Sequence, residues 1–274
     1  MAEQLGYFSQ AKLNVKLVPI DSWSDSLRAY QAGQLDGFTN TLVETVQSQL
    51  QEAPPLKVLL LADYSNGADV IIARQAIAKM EDLKGKKVGC EVTGLGVVVL
   101  AKALAKHGMS ITDVTLVNHE QLSGEAALRN GDIDAFVSYP PASVNLMGQA
   151  EFHSVFDSRE IPGGILDVLV VSAQLLKSQP DFAAKMRAVW QRAYDYVQAH
   201  PDDAFARMAK QENISAKEFA ASYQNDIHVY STPEMQQRLK TPGWLDEEAK
   251  SICTLLNNVA QSQHRCDKLY SIYP

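Results

Sequence analysis

The sequence predicts an α/β protein made of two related lobes. Three observations carry this reading. Strand-like and helix-like segments alternate along residues 13–171, which marks layered α/β folds. Residues 56–62 are nearly all apolar, as in a strand covered on both faces. The stretch Leu27-Arg28-Ala29-Tyr30-Gln31-Ala32-Gly33-Gln34-Leu35-Asp36-Gly37-Phe38 resembles Ala126-Ala127-Leu128-Arg129-Asn130-Gly131-Asp132-Ile133-Asp134-Ala135-Phe136. Each reads as a helix, a glycine stop, and a short strand with an aspartate before a small residue and Phe. Their offset of about 98 residues is too long for a solenoid repeat and suits two similar lobes.

The elements follow in order. Residues 13–20 alternate as a strand. Residues 24–32 form a helix that Gly33 stops, and 35–38 a short strand. Asn40 or Thr41 caps a helix running to about residue 51, which Pro54 and Pro55 end. Strands are expected at 56–62, 68–73 and 87–91. A helix over 94–106 shows Val97, Val98, Leu100, Ala101 and Leu104 on one side. Then come a strand at 113–117, a helix at 123–130, a strand at 133–137, a short helix at 143–147 and strands at 152–157 and 165–171. The remainder reads mainly as helix. Residues 181–199 carry Phe182, Met186, Val189, Trp190, Ala193 and Val197 at helical spacing. Pro201 suits a first helical position, Ser215-Ala216-Lys217-Glu218 a capping box, and 244–259 a last helix.

The chain has 274 residues, 46% hydrophobic and 21% charged, enough for well-filled cores. A formal charge of -7 argues against nucleic-acid binding, which needs a basic surface. The run Lys84-Gly85-Lys86-Lys87 reads as a solvated turn. No apolar run reaches the length of a membrane-spanning helix, and the first residues do not have the pattern of a signal peptide. Of three cysteines, Cys90 lies in an apolar strand pattern and reads as a buried thiol. Cys253 and Cys266 suit neither a redox CxxC nor a zinc knuckle, and their pairing is left open.

Ligands of open α/β sheets collect beyond the carboxyl ends of the strands. The segments there are Ser22-Trp23-Ser24, Thr39-Asn40-Thr41, Asp63-Tyr64-Ser65-Asn66, Glu91-Val92-Thr93-Gly94-Leu95-Gly96 and Ser138-Tyr139-Pro140-Pro141. Trp23, Tyr64 and Tyr139 are aromatics in polar loops, suited to stacking a small ligand. Asp63, Asp69, Glu91 and Asp157 make the same regions acidic, favouring a cationic or hydrogen-bond-donating ligand. Gly94 and Gly96 fall short of a GxGxxG fingerprint. Arg74 and Arg159 flank the lobe crossings and suit either a ligand carboxylate or an outward-facing hinge ion pair, and Asp36 and Asp134 suit either a ligand role or a turn or strand end. No metal-ligand spacing joins the six histidines, and no nucleophile elbow is present. Catalysis, a metal and a cofactor are therefore not expected.

At this point the sequence resembles a known family. Ala2-Glu3-Gln4-Leu5-Gly6-Tyr7-Phe8 with Leu13-Asn14-Val15, Ala32-Gly33-Gln34-Leu35-Asp36-Gly37, Asp82-Leu83-Lys84-Gly85-Lys86-Lys87-Val88-Gly89 and Gly131-Asp132-Ile133-Asp134-Ala135 are similar, in that order, to the NMT1/THI5-like periplasmic solute-binding proteins of nitrate, sulfonate and thiamine-precursor importers. The resemblance implies a type II periplasmic binding fold with two crossover segments. Lobe one would be 1–73 plus 166–274, and lobe two 74–165. It implies a monomer that captures a small molecule between closing lobes and delivers it to an inner-membrane ABC transporter permease. Its place would be the periplasm, or the cell exterior on a membrane tether, with the export signal missing from this chain. A ligand-binding sensory module is the alternative.

Carried over residue by residue, the ligand contacts would be Trp23, Thr39, Asn40, Asp63, Tyr64, Ser65 and Asn66 from lobe one. Gly94, Leu95, Tyr139 and Pro140 would face them, and Glu91 joins this set as an acidic residue of the same region. The thiamine-pyrimidine synthase branch of the family uses a cysteine-rich segment that this chain lacks. The acidic, aromatic character leans toward a neutral or basic nitrogenous ligand, a class that includes thiamine-related pyrimidines. The family's first strand has no counterpart here, so a defect or a substituted strand is expected beside residues 15–17.

Overall fold

The computed structural model describes residues 1–20, 23–92, 94–140, 142–212, 214–266 and 271–272. Contacts group the chain into two units. The first comprises Met1–Asp63, Asp167–Lys250 and Arg265–Pro274, the second Tyr64–Leu166 and Ser251–His264. An α/β architecture with two sheets is present, one in each unit.

The chain opens with α1 (Tyr7–Gln10) and then leaves the expected pattern. Residues 13–20 form no strand. Alternation alone does not make a strand, because backbone N–H and C=O groups need a neighbouring edge. Leu13 is buried, but Leu17 and Val18 are 52% and 50% exposed, as expected of an apolar face without a sheet to cover it.

Helix α2 (Trp23–Gln31) leads to β1 (Gly37–Thr41) and α3 (Leu42–Leu50). Thr41 caps α3 in a full capping box. Its Oγ1 accepts from the Glu44 amide at 3.2 Å, and Glu44 Oε2 accepts from the Thr41 amide at 2.9 Å. Strand β2 (Leu56–Ser65) continues three residues past the apolar run and buries Val58, Leu59, Leu60 and Leu61. Strand β3 (Val70–Arg74) pairs with strands of the second sheet and lies in the second unit.

The second unit continues through β4 (Lys87–Cys90), α4 (Leu95–Lys106), β5 (Thr115–Asn118), α5 (Gln121–Asn130), β6 (Ala135–Ser138), α6 (Ala142–Met147) and β7 (Phe152–Asp157). Its sheet has the order β5-β4-β6-β3-β7. Strand β4 runs parallel to both β5 and β6, and β3 runs antiparallel to β6 and β7. The carboxyl ends of β4, β5 and β6 thus lie at one edge. Every residue of β6 is buried, as a central strand requires. Helix α5 lies close to this sheet because Gly124 has no side chain; a Cβ there would collide with the Phe136 ring. Asp134 is structural, its Oδ2 accepting from the Lys87 amide at 2.9 Å. Arg74 donates to the carbonyls of Leu128 and Arg129, and Arg159 pairs with Asp157 at 3.0 Å, so both arginines have structural partners.

Strand β8 (Leu166–Ser172) joins the first sheet and is followed by α7 (Ala173–Ser178), α8 (Phe182–Ala199), α9 (Pro201–Glu212), α10 (Ala216–Asn225), β9 (Ile227–Val229), α11 (Thr232–Leu239), α12 (Trp244–Ala260) and β10 (Ser271–Ile272). The first sheet has the order β1-β8-β2-β10, with β9 also on β2. Strand β1 runs antiparallel to β8, and β10 parallel to β2. The expected stripe of α8 buries Phe182, Met186, Val189 and Val197. Pro201 opens α9 and Ser215 caps α10, as the sequence predicts. The short strands β9 and β10 were not legible in the helical remainder. Cys90 is a buried free thiol, whereas Cys253 and Cys266 are disulfide-bonded.

Candidate functional site

In the first unit the residues singled out from sequence sit at strand ends and helix starts. Trp23 is the first residue of α2 and half-buried. Its Nε1, which can only donate, is buried with no hydrogen-bond partner. Asn40 lies on β1, opposite Val168 of β8. Its Oδ1 accepts from Thr45 Oγ1 at 2.9 Å, while its Nδ2 is buried without a partner. A buried donor without an acceptor is unfavourable by about 1–3 kcal/mol, so each of these groups could take a hydrogen-bond acceptor. Thr39 is exposed; by strand alternation it faces away from Phe38 and Asn40.

Asp63 is half-buried on β2. Burial raises its pKa, against the lowering effects of a side-chain hydrogen bond with Asp167 and of nearby His228. Two carboxyl groups in hydrogen-bond contact must share a proton. Asp167 belongs to β8, opposite Thr41. Tyr223 adds an aromatic hydroxyl, pushed up to about 12 by burial, with Tyr194 and Asp63 contributing. His228 Nε2 lies 2.6 Å from Glu234 Oε1. The result is a carboxyl pair bordered by an imidazole and phenols, suited to a ligand that donates hydrogen bonds.

In the second unit Glu91 follows β4 directly. The Tyr139 hydroxyl, just past β6, donates to Glu91 Oε1 at 3.4 Å. Burial raises the Glu91 pKa, while hydrogen bonds from Gln121 and Tyr139 oppose the rise and Glu120 adds to it. Gln121 opens α5 and links three strand ends. Besides Glu91, it accepts from Ser138 Oγ at 3.0 Å and donates to the Val137 carbonyl at 3.4 Å. Gly94 is the N-cap of α4, without a side-chain cap, and half-buried Leu95 starts the helix. A Cβ on Gly96 would lie 2.7 Å from the Glu91 amide nitrogen, so glycine permits this close helix-to-strand approach. Pro140 is exposed beyond β6.

Tyr64 and Asn66 are half-buried at and just past the end of β2. Ser65 is buried and committed to its turn. Its Oγ lies 2.7 Å from Ser158 Oγ and accepts from the Asp69 amide at 3.2 Å. Asp69 is buried and pushed up to about 6 by that burial, with a Ser65 hydrogen bond opposing and Glu91 adding. Ser22, Thr93 and Pro141, also in the expected segments, lie outside the described residues.

Sequence reasoning missed Asp167, His228, Tyr223 and Gln121. Asp167 carried a signal, an acidic residue inside the apolar run 165–171. Gln121 carried none. Among the described residues no group of His, Cys, Asp and Glu is arranged to hold a metal ion, and no helix is long and apolar enough to cross a membrane.

Comparison with known proteins is consistent with these features. The chain is 28% identical over 165 residues to a putative binding protein of Brucella abortus, covering 56% of this chain and 50% of that protein. The chain thus spans about half the length of the first curated relatives it matches. It is 25% identical over 228 residues to the taurine-binding periplasmic protein of Escherichia coli, covering 79% of this chain and 69% of that one. The periplasmic aliphatic sulphonate binding protein SsuA of Escherichia coli shares the fold, with a TM-score of 0.79 and 16% identity over 100% of this chain and 87% of that one. The profile of the family described as NMT1/THI5 like matches residues 1–204, and the chain belongs to that family.

Proposed function

We propose that this protein is the solute-binding component of an ABC import system, taking up a small nitrogen-bearing organic molecule and passing it to a membrane permease. Family membership supports the transport role and a place in the periplasm or outside the cell. The two units are read as the lobes of a type II periplasmic binding fold. Each carries its own ligand-facing groups: Trp23, Asn40 and Asp63 in the first, and Tyr64, Glu91, Gly94, Leu95 and Tyr139 in the second. The work is binding and release, with ligand contacts shifting the population of conformations and no bond made or broken.

One observation carries the ligand class. Carboxyl groups gather at strand ends in both units, Asp63 with Asp167 in one and Glu91 with Asp69 in the other. A sulfonate, such as the taurine in the name of one relative, would bring negative charge to these groups. A ligand with ring or amine nitrogens donates to them, and its acceptor atoms suit the unpartnered Trp23 and Asn40 donors.

The test is calorimetric titration of the purified protein with aminopyrimidines and with taurine, beside native mass spectrometry of material purified without added ligand. Aminopyrimidine binding should exceed taurine binding, and Glu91→Gln should weaken it about tenfold or more, the scale of one charged hydrogen bond. Preferential taurine binding, or an affinity indifferent to Glu91→Gln, would refute the assignment.

A further inference from the structure

The side chain of Gln121 is held from several directions, all within the second unit. It is the first residue of α5 and half-buried. Its Oε1 accepts from Ser138 Oγ at 3.0 Å, and its Nε2 donates to the Val137 carbonyl at 3.4 Å. A further side-chain hydrogen bond joins it to Glu91. Ser138 is fully buried, so its hydroxyl needs the partner that Gln121 supplies.

These contacts fix which way the amide points. A glutamine amide has an accepting oxygen at one end and an NH2 with two hydrogens at the other. The Val137 carbonyl and an ionised Glu91 carboxylate accept and cannot donate, whereas the Ser138 hydroxyl can donate. With its oxygen on Ser138, the amide has one N–H for Val137 and one for Glu91. Turned over, it would set its oxygen against two acceptors. Gln121 therefore presents an N–H to Glu91, and the Tyr139 hydroxyl presents a second donor to Oε1 at 3.4 Å. Donors on a carboxylate favour its charged form.

Glu91 needs that support. Its own burial and the neighbouring carboxyl of Glu120 favour the neutral form. Asp69, before β3, is a second acid that Glu91 influences. Cys90 beside it is a buried thiol that stays protonated. His119, between β5 and α5, has its Nδ1 3.3 Å from Ser123 Oγ, and the first turn of α4 carries no charged residue.

We propose that Gln121 is a positioning residue for ligand capture: locked by Ser138 and the Val137 carbonyl, its N–H keeps the Glu91 carboxylate charged and fixed as the acceptor for a ligand nitrogen. The proposal rests on the reading of Glu91 as a contact to a nitrogen-bearing ligand, and it adds the residue that sets the pH range over which that contact works. Gln121 acts through the carboxylate and need not touch the ligand.

Two measurements test it. In the full chain without ligand, carrying carbon-13 at glutamate carboxyls, the Glu91 resonance is followed by NMR against pH, with Glu91→Gln identifying the signal. Gln121→Met is close in size and lacks the donor; it should move the Glu91 midpoint to higher pH. Gln121→Glu keeps the length and adds a like charge; it should move the midpoint further the same way, and it carries the test should Gln121→Met fail to fold. In calorimetric titration with an aminopyrimidine, Gln121→Met should weaken binding about threefold to tenfold near neutral pH. The loss should be greatest at the acidic end and smallest at the alkaline end, where Glu91 is charged in both proteins. A loss equal at every pH would assign Gln121 to packing and overturn the proposal, as would an unmoved Glu91 midpoint in both variants. If the midpoint moves but Glu91→Gln leaves aminopyrimidine binding unchanged, the ligand reading fails and the role in capture fails with it.

Discussion

Asp69 shows how one buried carboxyl ties pH to stability. It is almost fully buried and its pKa rises from 3.8 to about 6. A raised carboxyl pKa means the native state holds the proton more tightly than the unfolded chain. Stability from this group is full below pH 3.8, falls as pH rises toward 6, and stays reduced above it. Asp69→Asn removes the ionisation, so it should stabilise the protein at pH 7.5 by roughly 1–3 kcal/mol and give little or no gain at pH 3.5. Thermal unfolding at the two pH values checks this; an equal effect at both would show that the side chain acts through its shape. Tyr139 belongs to the same scale. Tyr139→Phe keeps the ring and removes the donor to Glu91, so aminopyrimidine affinity should fall about threefold to tenfold with unchanged thermal stability. A fall as large as that of Tyr139→Ala would assign the effect to the ring.

Among the elements, α3 is the clearest case of local sequence deciding local structure. Thr41 and Glu44 satisfy each other's amides, and Thr41 also ends β1 opposite Asp167. Thr41→Ala should destabilise by about 1 kcal/mol, read as a lower urea midpoint with an unchanged slope. Thr41→Ser should recover most of the loss. Residues 13–20 are the opposite case. Their alternation has the period of a strand, but β1 ends the order of the first sheet and no strand forms beside it among the described residues. At the other end of that order β10, only two residues long, pairs with β2 through Lys57 and Val58. Such a short strand has no hydrophobic pattern to read and exists because an edge is there to receive it.

At the scale of the whole molecule, the disulfide of Cys253 and Cys266 closes a short loop near the end of the sequence. Closing a loop of this length removes entropy from the unfolded chain, worth about 3 kcal/mol for roughly 15 residues. Cys266→Ser should lower stability by about 2–3 kcal/mol, and a reductant should lower the unfolding temperature of the wild type but not of the variant. An unchanged wild type under reductant would show that the bond contributes nothing. Such bonds persist in oxidising compartments, in keeping with the location of the family. Cys90 has no part in this chemistry, since burial pushes its thiol up to about 12.

The sequence by itself determined the α/β class, the division into two lobes, most helices and strands, and the strand ends where Glu91, Asp63, Asn40 and Tyr139 stand. These follow from periodicity, caps and breakers, which are local and survive without a folded context. Family membership was legible for the same reason, since its motifs are contiguous runs. Tertiary structure alone decided which polar groups meet. Asp167 joins Asp63, and Gln121 joins Glu91, from positions far apart in the chain. It also decided that residues 13–20 form no strand and that Ser65 serves its own turn. Pairing, burial and proton sharing depend on what lies across a sheet edge, and a linear pattern does not contain that neighbour.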